Sequence, residues 1–125
     1  MPEENPEKLI DKAKNEYDKI GRIYCPAFGS EKIHFNRHGW NHLIRKGRRF
    51  RDFSEQQRRI QLIPKAIEVI KVTDKVFSYR KTKLAQSIGH FWEIKGKIRH
   101  NSEASTIHVI IRRMNGGQLH FFSVF

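Results

Sequence analysis

Cysteine is almost absent from this 125-residue chain, and apolar runs of membrane-spanning length and a surplus of acidic residues are also missing. The single cysteine, Cys25, cannot form an intramolecular disulfide, which excludes a disulfide-stabilised scaffold and suits a reducing compartment. No apolar run approaches the length that crosses a bilayer, and the acidic start Met1-Pro2-Glu3-Glu4 is unlike a signal peptide. We therefore expect a cytoplasmic protein with no membrane contact.

Positive charge is what the chain has in excess. It carries 25 Lys and Arg residues against 13 Asp and Glu residues, a formal net charge of +12. Residues 1–20 hold four lysines and six acidic residues, a net charge of −2, which leaves +14 for residues 21–125. This distribution predicts an acidic N-terminal helix over residues 1–20 and one basic domain over residues 21–125. A basic domain favours an anionic partner, and nucleic acid is the first candidate.

The spacing of apolar residues predicts helices first and strands afterwards. One helix begins at Asn5-Pro6, a second is capped by Asn36 and reaches about Gly47, and a third follows Ser54. Pro64 should kink or split that third helix. Short extended pieces are expected at residues 22–24 and 32–35, and longer strands at 76–81, 88–98, 106–113 and 119–125. Asn115-Gly116-Gly117 is typical of a hairpin turn between the last two strands.

This order predicts an α+β domain in which N-terminal helices pack on one face of a four-stranded antiparallel sheet. Two of its segments combine basic side chains with imidazoles. Residues 32–46 hold three of the seven histidines among arginines and lysines, and residues 112–123 combine two arginines with His120. Cations attract phosphate and imidazoles transfer protons near neutral pH, so we expect the two segments to meet in space.

The predicted arrangement resembles the small ribonuclease fold shared by barnase, EndoU, colicin-type tRNases and RelE. Residues 33–44 resemble the strand–helix opening of the phage- and mobile-element-borne members, and residues 109–123 resemble their closing hairpin. The resemblance implies a toxin or effector that cleaves RNA without a metal or other cofactor. It also implies that a base takes the proton of a ribose 2′-OH, which attacks the adjacent phosphate, while an acid protonates the leaving 5′ oxygen.

The candidate catalytic side chains come from both segments and from one further strand. If Leu119, Phe121 and Ser123 face the helices, strict alternation leaves His120 on the open face of the sheet with an arginine. If they do not, Ser123 is the better candidate, and both alternatives stay open. The candidate catalytic residues are therefore His42, His120, Arg112, Ser123 and Lys81.

The candidate nucleic-acid-binding residues follow the histidine segment. A run of cations is more often a solvated surface than a site, but this run lies between two predicted helices beside the imidazoles. Phe50 and Phe53 interleave with it and could stack on bases, although core packing is the commoner role. Tyr79 shares a predicted strand face with Lys81. The set is Arg37, Arg45, Lys46, Arg48, Arg49, Arg51 and Tyr79.

Three alternatives to a metal-free nuclease concern the same residues. His38 and His42 have the i, i+4 spacing of zinc enzymes, but Gly39 stands where their signature has glutamate, so we expect no metal site. The chain could also be a non-enzymatic nucleic-acid-binding module, or an interaction domain for an acidic antitoxin or immunity protein. RNA, with transfer RNA as one candidate, is the expected partner, and the sequence leaves the oligomeric state open.

Overall fold

The computed structural model describes residues 5–100 and 103–125. Within these residues the chain forms helices, strands and a one-turn 3₁₀ helix at Pro26–Phe28. The helices are α1 (Pro6–Asp18), α2 (Arg37–Ile44), α3 (Phe53–Gln61) and α4 (Ile63–Val72). The strands are β1 (Arg22–Tyr24), β2 (Lys32–His34), β3 (Arg45–Lys46), β4 (Arg49–Phe50), β5 (Ser78–Leu84), β6 (Ser87–His100), β7 (Glu103–Met114) and β8 (His120–Val124).

The main sheet has six strands in the order β1-β2-β8-β7-β6-β5. All neighbours are antiparallel except β2 and β8, which are parallel and pair at His34 and His120. The domain is α+β, but the prediction of a four-stranded antiparallel sheet with N-terminal helices on one face is wrong. Strands β1 and β2 join the sheet edge, and helices α2, α3 and α4 lie between strands in the chain. Three-residue strands carry too little alternation to be assigned to a sheet from sequence.

Side-chain caps begin three of the helices. Asn5 accepts a hydrogen bond from the Glu7 backbone at 2.9 Å, and Asn36 accepts one from the His38 backbone at 3.1 Å, as predicted. The cap of α3 is Asp52 rather than Ser54, whose hydroxyl donates to the Asp52 carboxylate at 2.8 Å. Pro64 splits the predicted third helix into α3 and α4, because proline cannot donate the hydrogen bond that would continue α3.

The core lies between the sheet and the helices. Helix α4 packs on β6 and β7, and its Val69 side chain lies against Gly96. Helix α1 contributes the buried Tyr17, whose hydroxyl donates to the Asn36 carbonyl at 2.7 Å. Its ring contacts Phe35, Trp40 and Phe121, which form an aromatic cluster beneath α2. The acidic first helix therefore braces the residue that begins α2.

The longest described helix, α1, has 13 residues, and no helix in the described part of the chain is long and apolar enough to cross a membrane.

Candidate active site

Helix α2 lies unusually close to strand β8, and Gly39 permits this approach. A β-carbon at position 39 would lie 2.4 Å from the Phe121 carbonyl oxygen and 2.6 Å from the Tyr17 hydroxyl. Both distances are far below van der Waals contact, and the nearer atom belongs to the backbone. Any larger residue would push the helix away from the strand. The glycine that argued against a zinc motif is thus the residue that brings α2 onto β8.

The close approach aligns two histidines of α2 with two residues of β8. The rings of His38 and His120 have centroids 5.4 Å apart, and the rings of His42 and Phe122 stack at 4.2 Å. Four residues of helix advance about 6 Å, and two residues of strand advance about 6.6 Å. These repeats match, so the i, i+4 pair on the helix meets the i, i+2 pair on the strand.

A β-bulge in β8 decides which of its side chains share a face. Ile111 pairs with Phe121 and Ile110 pairs with Ser123, so Phe122 has no partner on β7. The extra residue resets the alternation, which places His120, Phe122 and Ser123 on one face and the core residue Phe121 on the other. The two alternatives that alternation left open, His120 or Ser123, therefore occupy the same face.

Arg112 is held at this face by His120. Its Nε donates to the His120 Nε2 at 2.9 Å, and its Cζ lies 4.3 Å from the centre of the Phe122 ring. An arginine Nε always carries hydrogen, so the Nε2 of His120 must be the acceptor and its ring proton must sit on Nδ1. His120 is only 4% exposed. It therefore orients the guanidinium from behind and does not itself present a free nitrogen.

A pocket of about 260 Å³ opens in front of Arg112. It is too small for a typical drug-sized ligand and suits a single phosphate group. Its walls supply two imidazoles, two guanidinium groups and one amide, and the described residues contribute no carboxylate to them. The side chains are His38, Asn41, His42, Arg45, Arg112 and Phe122.

Burial and nearby cations keep the imidazoles neutral. Burial, followed by the charges of Arg51, Arg59 and Arg112, lowers the pKa of His42 to about 4. Burial, followed by the charge of Arg112, lowers the pKa of His120 to about 4.

His38 is exposed, and its pKa also lies below the ordinary value, through desolvation and the charges of Arg112 and Arg37. At neutral pH the free site therefore holds neutral rings beside permanent cations.

The predicted basic segment forms a small hairpin beside the pocket. Strands β3 and β4 pair through Arg45–Phe50 and Lys46–Arg49, with Gly47 and Arg48 in the turn. A positive φ at Gly47, 65°, but not at Arg48 is the geometry of a type II′ turn. This hairpin explains why α2 ends at Ile44 and not near Gly47. We call residues 45–50 the basic hairpin.

The basic hairpin presents exposed cations. Two further arginines, Arg37 before the hairpin and Arg51 after it, have different surroundings. Arg45 lies over the Phe50 ring at 4.0 Å, while Lys46, Arg48 and Arg49 are exposed at the tip and edges. Arg37 is exposed in the first turn of α2, beside His38. The Nε of Arg51 donates to the His42 carbonyl at 3.1 Å and so satisfies a carbonyl at the end of α2.

Two residues predicted for the site lie on the opposite face of the sheet. Lys81 pairs with His90, whereas Arg112 pairs with Phe91, the next residue of β6. Adjacent residues of a strand point to opposite faces, so Lys81 and Arg112 cannot line one groove. Tyr79 shares the face of Lys81, and its hydroxyl lies 2.6 Å from the His90 Nδ1. The structure therefore does not bring Lys81 and Tyr79 together with the other site residues.

Ser123 lies on the same face of the sheet as the pocket, but its hydroxyl is already hydrogen-bonded. It is 5% exposed, and its hydroxyl accepts a hydrogen bond from the Arg59 Nη1 at 3.3 Å. Arg59 also pairs with Glu55 on its own helix. The serine therefore ties α3 to β8.

Sequence reasoning missed three residues of the pocket: His38, Asn41 and Phe122. His38 had a signal, because its i, i+4 spacing from His42 places both imidazoles on one helix face, but that spacing was weighed only for zinc. Asn41 lies on the same side of α2. No sequence signal marks Phe122, because its position depends on the bulge.

Among residues 5–100 and 103–125, no group of three or more His, Cys, Asp or Glu side chains could hold a metal ion. Comparisons with protein-family models, curated proteins and solved structures find no match for this chain. The function must therefore be argued from the site itself.

Proposed function

We propose that this protein is a metal-independent endoribonuclease that cleaves RNA by transesterification through the ribose 2′-OH. The observation that carries the proposal is the pocket of about 260 Å³ in which His38, His42 and Arg112 converge. Cations at its wall suit a phosphate, and two imidazoles supply the base and acid that the reaction needs. The proposal rests on geometry, charge and burial.

The positions of the two histidines divide the proton transfers between them. His42, half-buried and with a pKa of about 4, is neutral and takes the proton of the 2′-OH. The 2′ oxygen attacks phosphorus, and the bond from phosphorus to the 5′ oxygen breaks. His38 is more exposed, which favours its protonated form, and it donates its proton to the leaving 5′ oxygen. The products are a 2′,3′-cyclic phosphate and a 5′-hydroxyl end.

Arg112 and Arg45 stabilise the negative charge that builds up on the phosphorane. The Nε of Arg112 is committed to His120, which leaves its terminal Nη groups for phosphate oxygens. A preorganised donor of this kind typically contributes about 10²–10³ in rate. Bound phosphate also offsets the cationic field that lowers the pKa of His38, so substrate binding favours the protonated acid. In this scheme His120 is a positioning residue for Arg112.

The same pocket could hold RNA without cleaving it. The observation that favours this second candidate is that desolvation and the charges of Arg112 and Arg37 lower the pKa of His38, the proposed acid, below 6.5, so the free protein holds little protonated His38 at pH 7. The protein would then be an RNA-binding module, with the basic hairpin as its main contact. An acidic antitoxin or immunity protein is a proposed alternative occupant of that hairpin.

Two further points stay proposals. Membership of the barnase–EndoU–colicin–RelE-like nucleases is suggested by residues 33–44 and 109–123. A cytoplasmic location is suggested by Cys25, which is free and fully buried, with its thiol donating to the Thr73 carbonyl at 3.6 Å.

The deciding experiment is incubation of purified protein with total RNA and transfer RNA in EDTA. We expect wild-type protein to leave 2′,3′-cyclic phosphate ends and the His38→Ala/His42→Ala double variant to leave the RNA intact. Lys81→Ala, on the opposite face of the sheet, is the matched control and should cleave normally. Intact RNA with the wild type, alongside salt-sensitive binding, would replace the nuclease with the binding module.

A further inference from the structure

A second pocket opens on the same face of the sheet, directly beside the phosphate pocket. Its volume is about 400 Å³, within the range of pockets that hold whole small ligands. The two pockets share the side chains of His42 and Phe122 as a common wall. Any ligand group that fills the larger pocket is thus adjacent to a phosphate held by Arg112.

Aromatic rings form much of the larger pocket. The Phe122 ring stacks on His42 at 4.2 Å and meets Phe91 edge-on at 5.7 Å. Arg80 lies over the Phe91 ring at 5.1 Å, and Phe125 completes the aromatic lining. A planar aromatic ligand could stack within this aromatic lining, and the Arg80 guanidinium could make a cation–π contact with it.

Polar groups stand at the edge of this aromatic surface. Ser78 and Ser123 contribute hydroxyls to the pocket wall, and Glu93 contributes a carboxylate. One carboxylate oxygen of Glu93 is paired with the His108 Nδ1 at 3.0 Å, which holds the group in place. Ser123 accepts from Arg59, so its own hydroxyl hydrogen stays available. Stacking rings with donors and acceptors at the rim match a flat heterocycle whose edge carries both kinds of group.

We propose that the pocket of Phe91, Phe122, Ser78 and Glu93 binds an unpaired nucleobase of the RNA whose phosphate lies at Arg112. This inference rests on the proposed function and adds that the substrate is single-stranded. A base inside a duplex is stacked and paired, so it cannot enter a pocket about 400 Å³ in volume without leaving the helix. Loops, bulges and ends of folded RNA are therefore the cleaved segments.

The first arm of the test measures base binding without cleavage. Adenosine, guanosine, cytidine and uridine are titrated separately into labelled protein, and the aromatic resonances of Phe91 and Phe125 are followed by NMR. Inorganic phosphate is titrated in parallel and should shift His38 and leave Phe91 unmoved. We expect at least one nucleoside to shift the Phe91 resonance. Failure of all four nucleosides to do so overturns the base pocket, even where the protein cleaves RNA.

The second arm measures selectivity. Phe91→Leu keeps apolar bulk but removes the stacking ring, and Tyr79→Leu is the matched aromatic control on the opposite face. We expect Phe91→Leu to lower kcat/KM on a single-stranded oligonucleotide about 10-fold or more, and Tyr79→Leu to leave it unchanged. The same oligonucleotide annealed to its complement should resist the wild type. Equal cleavage of both forms, with Phe91→Leu as active as wild type, would overturn the inference and leave the nuclease intact.

Discussion

Arg112 and His120 face each other across neighbouring strands, and the arginine Nε donates to the histidine Nε2 at 2.9 Å. This contact changes what His120 can do. A nitrogen that accepts from arginine is not free to take a proton from substrate, and the ring is buried behind the guanidinium. His120, one of the candidate catalytic residues from the sequence, is therefore better explained as the residue that orients the Arg112 guanidinium.

This relationship predicts different effects for two substitutions of His120. His120→Ala should raise KM for RNA about 10-fold because Arg112 loses the acceptor that orients it, while His120→Gln keeps an acceptor oxygen and should restore much of the affinity. Steady-state kinetics on one oligonucleotide separate KM from kcat. Equal losses in kcat for both variants, with KM unchanged, would restore a direct catalytic role to His120.

Gly39 is buried where α2 meets β8, and this position predicts a stability effect. Gly39→Ala places a methyl group 2.4 Å from the Phe121 carbonyl oxygen, so α2 must move away from β8. We expect a loss of about 1–3 kcal/mol in the free energy of unfolding, measured with urea. Gly116→Ala is the matched control, since nothing lies within 4 Å of its added β-carbon. Equal stability of the two variants would show that the helix–strand approach is not tight.

Much of the fold could be predicted because its signals are local. The caps at Asn5 and Asn36, the break at Pro64 and the turn at Asn115-Gly116 all depend on neighbouring residues, and the structure has each of them. The sheet was misjudged because β1 and β2 join it through long-range pairing, including a single parallel pair with β8. Three-residue strands leave no pattern from which such pairing could be derived.

The candidate site was predicted only in part, because some of its residues carry local sequence signals and others depend on long-range pairing. The meeting of the segments around His42 and Arg112 was expected, because charge and imidazoles mark both. The bulge at Phe122 was not expected, because one unpaired residue has no sequence signature of its own. This bulge invalidated the strict alternation that was used to weigh His120 against Ser123. Lys81 was included because alternation along β5 does not show which face of the sheet each side chain lies on until the register with β6 is known.

The lowered pKa of His120 predicts that the protein loses stability in acid. The ring has a pKa of about 4 in the folded chain and 6.5 when unfolded, so the unfolded state binds the proton first as the pH falls. The stabilisation is complete above pH 6.5 and is lost between 6.5 and about 4, by roughly 3 kcal/mol. Urea unfolding at several pH values should show a smaller loss for His120→Gln. Parallel curves for the two proteins would exclude His120 as the cause.

The two pocket histidines predict an acidic optimum for cleavage. The base, His42, must be neutral and has a pKa of about 4, whereas the acid, His38, must be protonated and has a pKa below 6.5. The value of kcat/KM should therefore peak between these limits and fall about tenfold per pH unit at higher pH. Arg37→Gln removes one charge that lowers the pKa of His38, so its descending limb should move to higher pH. A rate that is constant above pH 7 would exclude His38 as the acid.

The basic hairpin predicts how binding responds to salt. Arg48 and Arg49 are exposed and do not line the pocket of Arg112, so replacing both with alanine should weaken RNA binding without removing a pocket side chain. If each neutralises one phosphate of a single strand, the slope of log K against log salt should become shallower by about 1.4. Fluorescence anisotropy with a labelled oligonucleotide at several salt concentrations measures this slope. The Lys81→Ala/Lys83→Ala variant removes two cations from edge strand β5 and is the matched control. If it changes the slope as much as the hairpin variant does, RNA binds by net charge alone, and the hairpin has no special part in recognition.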